Sequence, residues 1–354
     1  MTRRELFFAA MRRQGSEYIP FEFVLCPALK EEFQKRTGQA DYEAYYDFPA
    51  KNLRLPFTGD RHRFDGYFAD KTNLKIDPIF GFGNRFGTTH HFSHMEPSLE
   101  DAEDLADFEA YPYPDPVADF DWSVLPEQIE NNLKTDHINV APMEMTIFET
   151  AWYIRGMEQF LMDMIAEPEI CAYHLDRITQ VRCKMAENYA LAGADVLRLG
   201  DDVATQLNMM MSPETWRSTL KPRLQKVIRA AKNAKPDIMV FYHGDGNMFD
   251  ILGDLIEIGV DILNPIQPEC MSPFEVKKTF GDRVSLWGCV GTQTTMPFGT
   301  PQEVKAVCRQ LIEEVGKGGG LFLAPSHMLE PEVPFENLEA FIDTVKEWNA
   351  AHGY

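Results

Sequence analysis

Two segments of the chain each place a histidine and a carboxylate directly after an apolar, strand-like run. His243 and Asp245 are separated by one glycine and follow the run that ends at Phe241, while His327 and Glu330 follow a second such run downstream. Imidazole nitrogens and carboxylate oxygens are ligands that zinc accepts, and both groups also transfer protons in enzymes. These segments therefore predict one site, for a metal or an acidic ligand, formed where two strands end.

Adjacent carboxylates, Asp201 and Asp202, follow a further strand-like run at 195–199. Neighbouring carboxylates repel each other and shift each other's pKa, which is costly without a cation or a shared proton. We expect one of the two in the site, Asp201 for catalysis or Asp202 as a substrate contact, and the other facing solvent or capping a turn. Glu149, after the strand-like segment 138–141, is a second catalytic candidate or else a carboxylate that begins a helix.

Several other side chains near predicted strand ends are expected to contact the substrate. They are Asp202, Tyr242, Gln267, Trp287 and Glu330. The cluster His90, His91 and His94 has the composition of a metal site, but we favour a solvent-exposed loop from which one imidazole reaches the site. No Gly-x-Ser-x-Gly, P-loop, kinase or HExxH pattern occurs, which argues against the commonest hydrolases, kinases and metalloproteases.

The elements that must position these residues alternate strand and helix patterns with short connections. Apolar runs predict strands at 20–24, 138–141, 195–199, 238–242, 261–264, 284–287 and 321–324. Periodicity and capping residues predict helices at 158–166, 169–192, 213–234, 248–258, 273–280, 301–315 and 335–351. Such alternation indicates a parallel sheet. With an eighth strand expected within 65–95, we predict an α/β protein with a (β/α)8 TIM barrel, whose site lies at the carboxyl ends of the strands.

The domain organisation follows from this count. We predict a single domain over residues 1–354, which begins with amphipathic helical sequence around Leu6 and Met11. The irregular region 40–125 is rich in Asp, Tyr, Phe and Pro, and Tyr111–Pro116 reads as a rigid extended segment. We interpret that region as an excursion over the barrel mouth.

Composition narrows the function classes. The net charge of −21 disfavours binding to nucleic acid or anionic lipid. No run is long enough to span a membrane, and we predict no signal peptide at the N-terminus. The six cysteines are scattered without a CxxC pair, which favours a reducing cytoplasm over a disulfide framework. The sequence does not determine the oligomeric state and is compatible with a homodimer.

A series of short motifs runs in order from residue 195 to residue 348. They are Gly200-Asp201-Asp202, Ser212-Pro213-Glu214, Lys221-Pro222-Arg223, His243-Gly244-Asp245-Gly246-Asn247, 255–261, Gly281-Asp282-Arg283, 297–304 and 323–327. The series resembles the uroporphyrinogen decarboxylase superfamily, with weaker similarity back to residue 140. That superfamily also contains cobalamin-linked methyltransferases that act on methanol, methylamines, chloromethane and methoxylated aromatics. The resemblance implies a (β/α)8 barrel with its site at the mouth.

The decarboxylase branch of this superfamily carries an N-terminal Met-Arg-Gln-Ala-Gly-Arg-Tyr segment, whose arginines hold the carboxylates of the tetrapyrrole. The matching stretch here, 20–29, has no arginine and carries Glu22. A substrate with eight carboxylates is poorly matched to a chain of charge −21 without those arginines. His327, however, matches the late histidine of the decarboxylases.

The methyltransferase branch typically binds zinc through a His-x-Cys turn and a later cysteine near the last strand. Those positions correspond here to His243, Asp245 and the Ser326-His327 region, so both cysteines are replaced. The resemblance therefore implies a zinc site of His243, Asp245 and His327, with Glu149 or Glu330 as a further ligand. Such hard ligands disfavour activation of a thiol and favour polarising an ether or alcohol oxygen.

These observations favour a cytoplasmic methyltransferase that moves a methyl group from a small methoxylated or methylated donor to a separate corrinoid protein. Zinc would be the resident metal, and a corrinoid (cobalamin) would be carried by the partner. One alternative is uroporphyrinogen decarboxylase, or decarboxylation of another acidic pyrrole, in which His243 and His327 act without metal. The other is a barrel without catalytic activity that binds a corrinoid or a methyl donor.

Overall fold

The computed structural model describes residues 1–86 and 93–354. Its strands, in chain order, are β1 (Ala50–Asn52), β2 (Leu74–Ile76), β3 (Gly83–Phe86), β4 (Ser93–Glu96), β5 (Ile138–Glu144), β6 (Val196–Gly200), β7 (Met239–His243), β8 (Ile262–Asn264), β9 (Ser285–Val290) and β10 (Leu321–Pro325). Seven of them form one parallel sheet in the order β1-β5-β6-β7-β8-β9-β10. Strands β2, β3 and β4 form a separate antiparallel sheet.

Helices connect and cover the parallel strands. The α-helices are α1 (Arg3–Met11), α2 (Pro27–Thr37), α3 (Tyr42–Tyr45), α4 (Leu105–Ala110), α5 (Leu125–Lys134), α6 (Phe148–Arg155), α7 (Met157–Ala166), α8 (Pro168–Ala192), α9 (Pro213–Thr219), α10 (Lys221–Ala234), α11 (Leu252–Glu257), α12 (Pro273–Phe280), α13 (Thr295–Phe298), α14 (Pro301–Gln310) and α15 (Phe335–Ala351). Short 3-10 turns lie at Asp65–Tyr67, Trp122–Val124 and Phe249–Ile251, and a π-helical segment, Leu311–Val315, extends α14. None of the helices in the described ranges combines the length and apolar character needed to cross a bilayer.

An extended segment beside β10 supplies the eighth position of the barrel. Phe21 pairs in parallel with Leu323, and Leu25 pairs with Leu329. With the seven strands, this segment gives the (β/α)8 architecture that the sequence predicts. The predicted strand at 20–24 forms only these isolated bridges, so its backbone is tied to β10 at single points.

Alternation along the strands separates the inside of the barrel from its helical cover. On β7, Met239 and Phe241 belong to the inner hydrophobic cluster, while Val240 and Tyr242 pack in the outer one. Successive side chains of a strand point to opposite faces, so His243 continues the inner face. This places the imidazole at the carboxyl end of β7, at the mouth of the barrel.

Helix α1 closes the opposite end of the barrel. Its Phe7 and Met11 are fully buried in the inner cluster, and the Phe7 ring packs edge-on at 6.1 Å from Trp287. The Thr2 side chain accepts a hydrogen bond from the Glu5 N–H, and the Glu5 carboxylate accepts one from the Thr2 N–H. This capping box begins the helix where the sequence predicts amphipathic helical residues.

The structure corrects two element predictions. The strand missing from the sequence count is β1, outside the predicted window 65–95, which instead holds the antiparallel sheet. Its sequence Ala-Lys-Asn has no apolar run, because the strand is only three residues long and mostly exposed. The helix predicted over 213–234 is divided at Leu220, since a proline at position 222 is accommodated best in the first turn of a new helix.

The region predicted as an excursion, 40–125, contains β1, the antiparallel sheet and α4. It packs on α6, where Phe82 meets the Tyr153 ring edge-on with ring centres 4.9 Å apart. His90 and His91 of the predicted histidine loop lie outside the described residues; His94 is on β4.

Candidate functional site

Three side chains meet at the mouth with the chemistry of a metal site. Asp202, His243 and Asp245 each direct one donor atom into a group in which all donor atoms lie within 4.8 Å of one another. The Nε2 atom of His243 is 3.7 Å from Oδ1 of Asp202. One imidazole nitrogen and two carboxylate oxygens form a donor set that fits zinc, with room for a substrate or water to complete the coordination.

The imidazole of His243 is held by a neighbour on the next strand. Its Nδ1 lies 2.6 Å from Oδ1 of Asn264, and Nδ2 of Asn264 donates to the Trp287 carbonyl oxygen at 2.7 Å. Because the amide nitrogen is engaged there, the Asn264 oxygen accepts the Nδ1–H of His243. This fixes the tautomer that leaves Nε2 available toward Asp202, as partners of metal-bound histidines do.

Charges within the group alter its protonation. Burial alone lowers the pKa of His243, but the carboxylates of Asp245 and Asp202 outweigh it and raise the pKa. Burial raises the pKa of Asp245, as does the charge of Asp202, while His243 and His327 lower it. No lysine or arginine side chain in the described ranges forms an ion pair with Asp202 or Asp245. The group is therefore short of positive charge, which a divalent cation would supply.

The backbone ties Asp202 to Asp245 and to Glu149. The Asp245 N–H donates to Oδ1 of Asp202 at 2.8 Å, and the Asp202 N–H donates to Oε2 of Glu149 at 3.1 Å. Tyr153 donates its hydroxyl to the other oxygen of Glu149, at 3.1 Å. Glu149 thus adjoins the metal group and is oriented by two donors.

Glu149 is unusually basic for a carboxylate. Burial, together with the charges of Asp201 and Asp202, raises its pKa to about 8. A glutamate with such a pKa keeps its proton at neutral pH and is suited to general acid catalysis. Its location supports the prediction that Glu149 contributes to the chemistry.

Asp201 has a different position from the one predicted. Its carboxylate accepts hydrogen bonds from the backbone N–H groups of Ile147 and Glu149, both at 3.0 Å, and so caps the start of α6. It is 4% exposed, and burial raises its pKa to about 7. The catalytic prediction for Asp201 is therefore not supported, because this side chain faces a helix terminus. Asp202 is the member of the pair that enters the site.

His327 and Glu330 follow β10, three strands away from β7 across the sheet. His327 is exposed, and its ring nitrogens are not among the grouped donor atoms of Asp202, His243 and Asp245, so its role as a ligand stays a prediction. Its charge still acts on Asp245 across the mouth. Glu330 is half-buried in the segment after β10.

The other predicted substrate contacts are largely buried. Tyr242 is 1% exposed on the helix side of β7, opposite His243, because adjacent strand residues alternate; its position does not support substrate contact. Trp287 faces the barrel interior but is also 1% exposed, stacked on Phe322 with ring centres 3.6 Å apart. Gln267 accepts a hydrogen bond from the Gly246 N–H at 3.4 Å, so it holds the metal-site turn.

Two glycines allow this turn to pack against the loop after β6. A Cβ on Gly246, which has φ +84°, would lie 2.4 Å from the Thr205 carbonyl oxygen, and one on Gly244 would lie 3.1 Å from the Asp201 carbonyl oxygen. Only glycine fits the first position without strain. A crevice of about 530 Å³ opens beside the turn, with Asn247 and Cys270 in its lining. The packing therefore fixes Asp245 while leaving solvent access nearby.

Two residues of the site, Asn264 and Tyr153, were not among the candidates predicted from the sequence. Asn264 ends the predicted strand 261–264, so its position at a strand end was a signal for a site residue. Tyr153 follows Glu149 by four residues, the spacing that places two side chains on one helix face. This signal could be used only if a helix had been predicted there, and none was.

Comparisons with known proteins agree with the fold. The sequence pattern of the family described as Uroporphyrinogen decarboxylase (URO-D) matches residues 2–348. A curated relative, the methylcobamide:CoM methyltransferase MtaA of Methanosarcina barkeri, is 29% identical over 195 residues, covering 55% of this chain and 54% of that protein. The uroporphyrinogen decarboxylase of Chlorobaculum parvum is 26% identical over 192 residues, covering 53% and 52%. The chain thus spans about half the length of these relatives.

A solved structure extends the likeness over the whole chain. A methyltransferase from Methanosarcina mazei superposes with a TM-score of 0.70 at 20% identity, covering 98% of this chain and 99% of that one. At this identity the match shows the shared fold. It confirms the barrel that the strand count predicts.

Proposed function

The chain belongs to the uroporphyrinogen decarboxylase family, and we propose that within this family it is a metal-dependent methyltransferase. It would move a methyl group from a small methoxylated or methylated donor to a corrinoid carried by a partner protein. The observation that carries the proposal is the group of Asp202, His243 and Asp245 at the barrel mouth. The similarity to MtaA supports the methyl-transfer chemistry and the corrinoid partner.

The ligand set favours an oxygen-bound methyl donor. Asp202 and Asp245 offer hard carboxylate oxygens and His243 an imidazole nitrogen, and none of the three is a thiolate. Such a set suits zinc acting on oxygen better than zinc activating a thiol. When bound, zinc would supply Lewis acidity toward the oxygen that leaves the methyl group.

The chain's own residues would orient the donor and supply a proton. Asn264 keeps the His243 ring in one orientation, and the Asp245 N–H keeps Asp202 in place. Methyl transfer breaks the carbon–oxygen bond, and the oxygen keeps the bonding electron pair. Glu149, with a pKa of about 8, would return a proton to that oxygen. Tyr153 positions the acid through its hydroxyl.

Decarboxylation of uroporphyrinogen is the second candidate, because relatives of that activity match a similar part of the chain. It is disfavoured by the segment 20–29, which has no arginine to hold the substrate's carboxylates and places Glu22 in the barrel interior instead. His327, the decarboxylase-like histidine, is available at the mouth for acid–base chemistry.

The test is a transfer assay with free cob(I)alamin as the acceptor and zinc-loaded protein. Methanol, methylamine and a methoxylated aromatic would be offered separately, and methylcobalamin would be followed by its visible absorbance. We expect turnover with an oxygen-linked donor, lost in His243→Ala. Conversion of uroporphyrinogen to coproporphyrinogen, with no methyl transfer to cob(I)alamin from any donor, would refute the proposal. A parallel assay of methyl transfer from methylcobalamin to coenzyme M tests whether transfer to a thiol is faster than transfer to cob(I)alamin.

A further inference from the structure

Arg198 lies in the barrel interior and makes no hydrogen bond to the protein within residues 1–86 and 93–354. The guanidinium carbon lies 5.0 Å from the centre of the Phe241 ring and 5.5 Å from that of Trp287. Its Nε atom is buried without a hydrogen-bond partner. Buried donors are almost always paired in folded proteins, and a guanidinium carries five of them. An arginine inside a barrel whose guanidinium makes no hydrogen bond therefore points to a ligand.

Two carboxylates lie near Arg198 but outside hydrogen-bonding distance. Oε1 of Glu22 is 3.7 Å from Nη2, and Oε1 of Glu144 is 4.0 Å from Nε. The Glu22 oxygen already accepts the indole N–H of Trp287 at 3.0 Å. The two carboxylates attract the guanidinium electrostatically, but neither accepts a hydrogen bond from it.

The position of Arg198 relates it to the metal group. Arg198 pairs with Phe241 on the next strand, and Gly200, two residues later, pairs with His243. Two residues of a strand advance by roughly 7 Å, so Arg198 lies about that much deeper in the barrel than His243. Solvent reaches this depth, because the side chain of Arg198 is 13% exposed; that of Glu144, level with Gly200 nearer the mouth, is 42% exposed.

We propose that Arg198 binds the anionic end of the methyl donor, so that the substrate is a small methoxylated or methylated carboxylate. This inference rests on the proposed function and specifies its substrate class. The ligand carboxylate would accept two N–H bonds from the guanidinium, the geometry in which arginine binds carboxylates best. The methyl-bearing end would extend toward Asp202, His243 and Asp245, a span that a substituted benzene ring or a short chain can cover.

The test measures binding, independently of methyl transfer. Methoxyacetate, 3-methoxybenzoate and 4-methoxybenzoate would each be titrated by calorimetry against the full-length protein, in parallel with the matching primary amide. We expect at least one carboxylate to bind more tightly than its amide. The affinity of Arg198→Met for that carboxylate should be lower by a factor of about thirty or more, since the variant leaves the ligand charge unpaired in the barrel. The amide should bind both proteins similarly.

Three further variants keep the test decisive. Arg198→Lys retains the positive charge but lacks the paired N–H donors for bidentate binding, and it should give an intermediate loss of affinity. Glu22→Gln removes a neighbouring negative charge and should strengthen carboxylate binding. Arg229→Met, on the exposed face of α10, is the matched control and should change nothing. Circular dichroism and thermal unfolding establish that each variant is folded.

The two proposals fail in different ways. Carboxylate binding that depends on Arg198, without transfer to cob(I)alamin, would support the anion site and refute the methyltransferase. Transfer from a methoxylated donor, with no preference of carboxylate over amide or with a preference that survives in Arg198→Met, would overturn the anion site and leave the methyltransferase in place.

Discussion

The two ends of the barrel use similar residues in opposite ways. At the closed end, Arg4 donates to both oxygens of Asp195, at 2.6 and 2.8 Å, and the Asn139 N–H donates to the same carboxylate at 2.8 Å. At the mouth, Asp202 and Asp245 lie together, and no arginine or lysine of the described residues pairs with them. Charges at the closed end are neutralised within the protein, and those at the mouth are left for a ligand.

Two histidines show the same contrast. His137, at the closed end, lies beside Arg3, with its Nε2 2.8 Å from Nη1 of that arginine. Burial, with the charges of Lys51 and Arg3, lowers its pKa to about 4. His243, at the mouth, has a raised pKa because two carboxylates outweigh its burial. The imidazole at the closed end therefore lies among cationic side chains and has a structural role, whereas the one at the mouth lies among carboxylates that can bind a cation with it. Substitutions at the two ends should therefore differ in their effects on metal binding and on stability.

The largest effect is expected at the metal group. His243→Ala removes the one nitrogen ligand, and zinc affinity should fall about a hundredfold or more, a loss at least as large as that from changing a residue that only hydrogen-bonds to a ligand. Transfer to cob(I)alamin should be lost with the metal. His137→Ala, at the closed end, is the matched control and should keep wild-type zinc content, measured by elemental analysis. Equal zinc loss in both variants would contradict the claim that zinc binding depends on the mouth and not on the closed end.

A mutation at the closed end should affect stability and spare the metal. Arg4→Met leaves the buried Asp195 without its arginine, which should lower the free energy of unfolding by about 3 kcal/mol in urea denaturation. Zinc affinity should not change. The control is Arg36→Met, whose pair with Glu32 on α2 is solvent-exposed and should contribute less than about 1 kcal/mol. A loss of zinc in Arg4→Met would indicate that the two ends are not independent.

The orientation of His243 provides a smaller and more specific effect. Asn264→Ala removes the acceptor of the Nδ1–H and should weaken zinc binding about 10- to 100-fold without removing a ligand. Asn264→Asp keeps an oxygen at that position and should cost less. Competition titration against a chelator of known affinity measures both. Unchanged affinity in Asn264→Ala would show that this hydrogen bond does not support the metal.

The smallest effect, compared per pH unit, is a pH dependence of stability in the apoprotein. Glu149 has a raised pKa of about 8, so between its ordinary value and pH 8 the folded chain keeps a proton that the unfolded chain has lost. Stability should therefore fall as pH rises through that range, by at most about 1.4 kcal/mol per pH unit for this group. Glu149→Gln should flatten the slope by about one proton. The exposed Glu127→Gln on α5 should leave the slope unchanged; a Glu149→Gln slope equal to wild type would contradict the assignment.

Much of the barrel could be predicted from the sequence because buried parallel strands are apolar runs between turn signals. The strand that ends at His243 and the one that leads to His327 were found in this way, and the family match agrees with the fold. Strand β1 could not be found, since its three residues carry no such pattern. Its place depends on pairing with β5, which only the folded chain defines.

The site could be predicted less completely, because which side chains meet depends on strand register and on the width of the mouth. The sequence placed His243 and Asp245 on one turn, and the structure groups both with Asp202. It could not decide between Asp201 and Asp202, since that choice depends on a helix terminus that Asp201 caps. It favoured His327 as a ligand, although β10 lies three strands away from β7.

The most direct test is X-ray absorption spectroscopy at the zinc edge of protein loaded with one equivalent of zinc. Asp202, His243 and Asp245 as ligands predict only nitrogen and oxygen neighbours at about 2.0–2.2 Å, with more distant scattering from a single imidazole. A scatterer at about 2.3 Å would indicate a sulfur ligand, for which Cys270, in the lining of the crevice, is a candidate. That result, a second imidazole such as His327, or a failure to bind zinc at all would contradict the assignment of Asp202, His243 and Asp245 as the metal site.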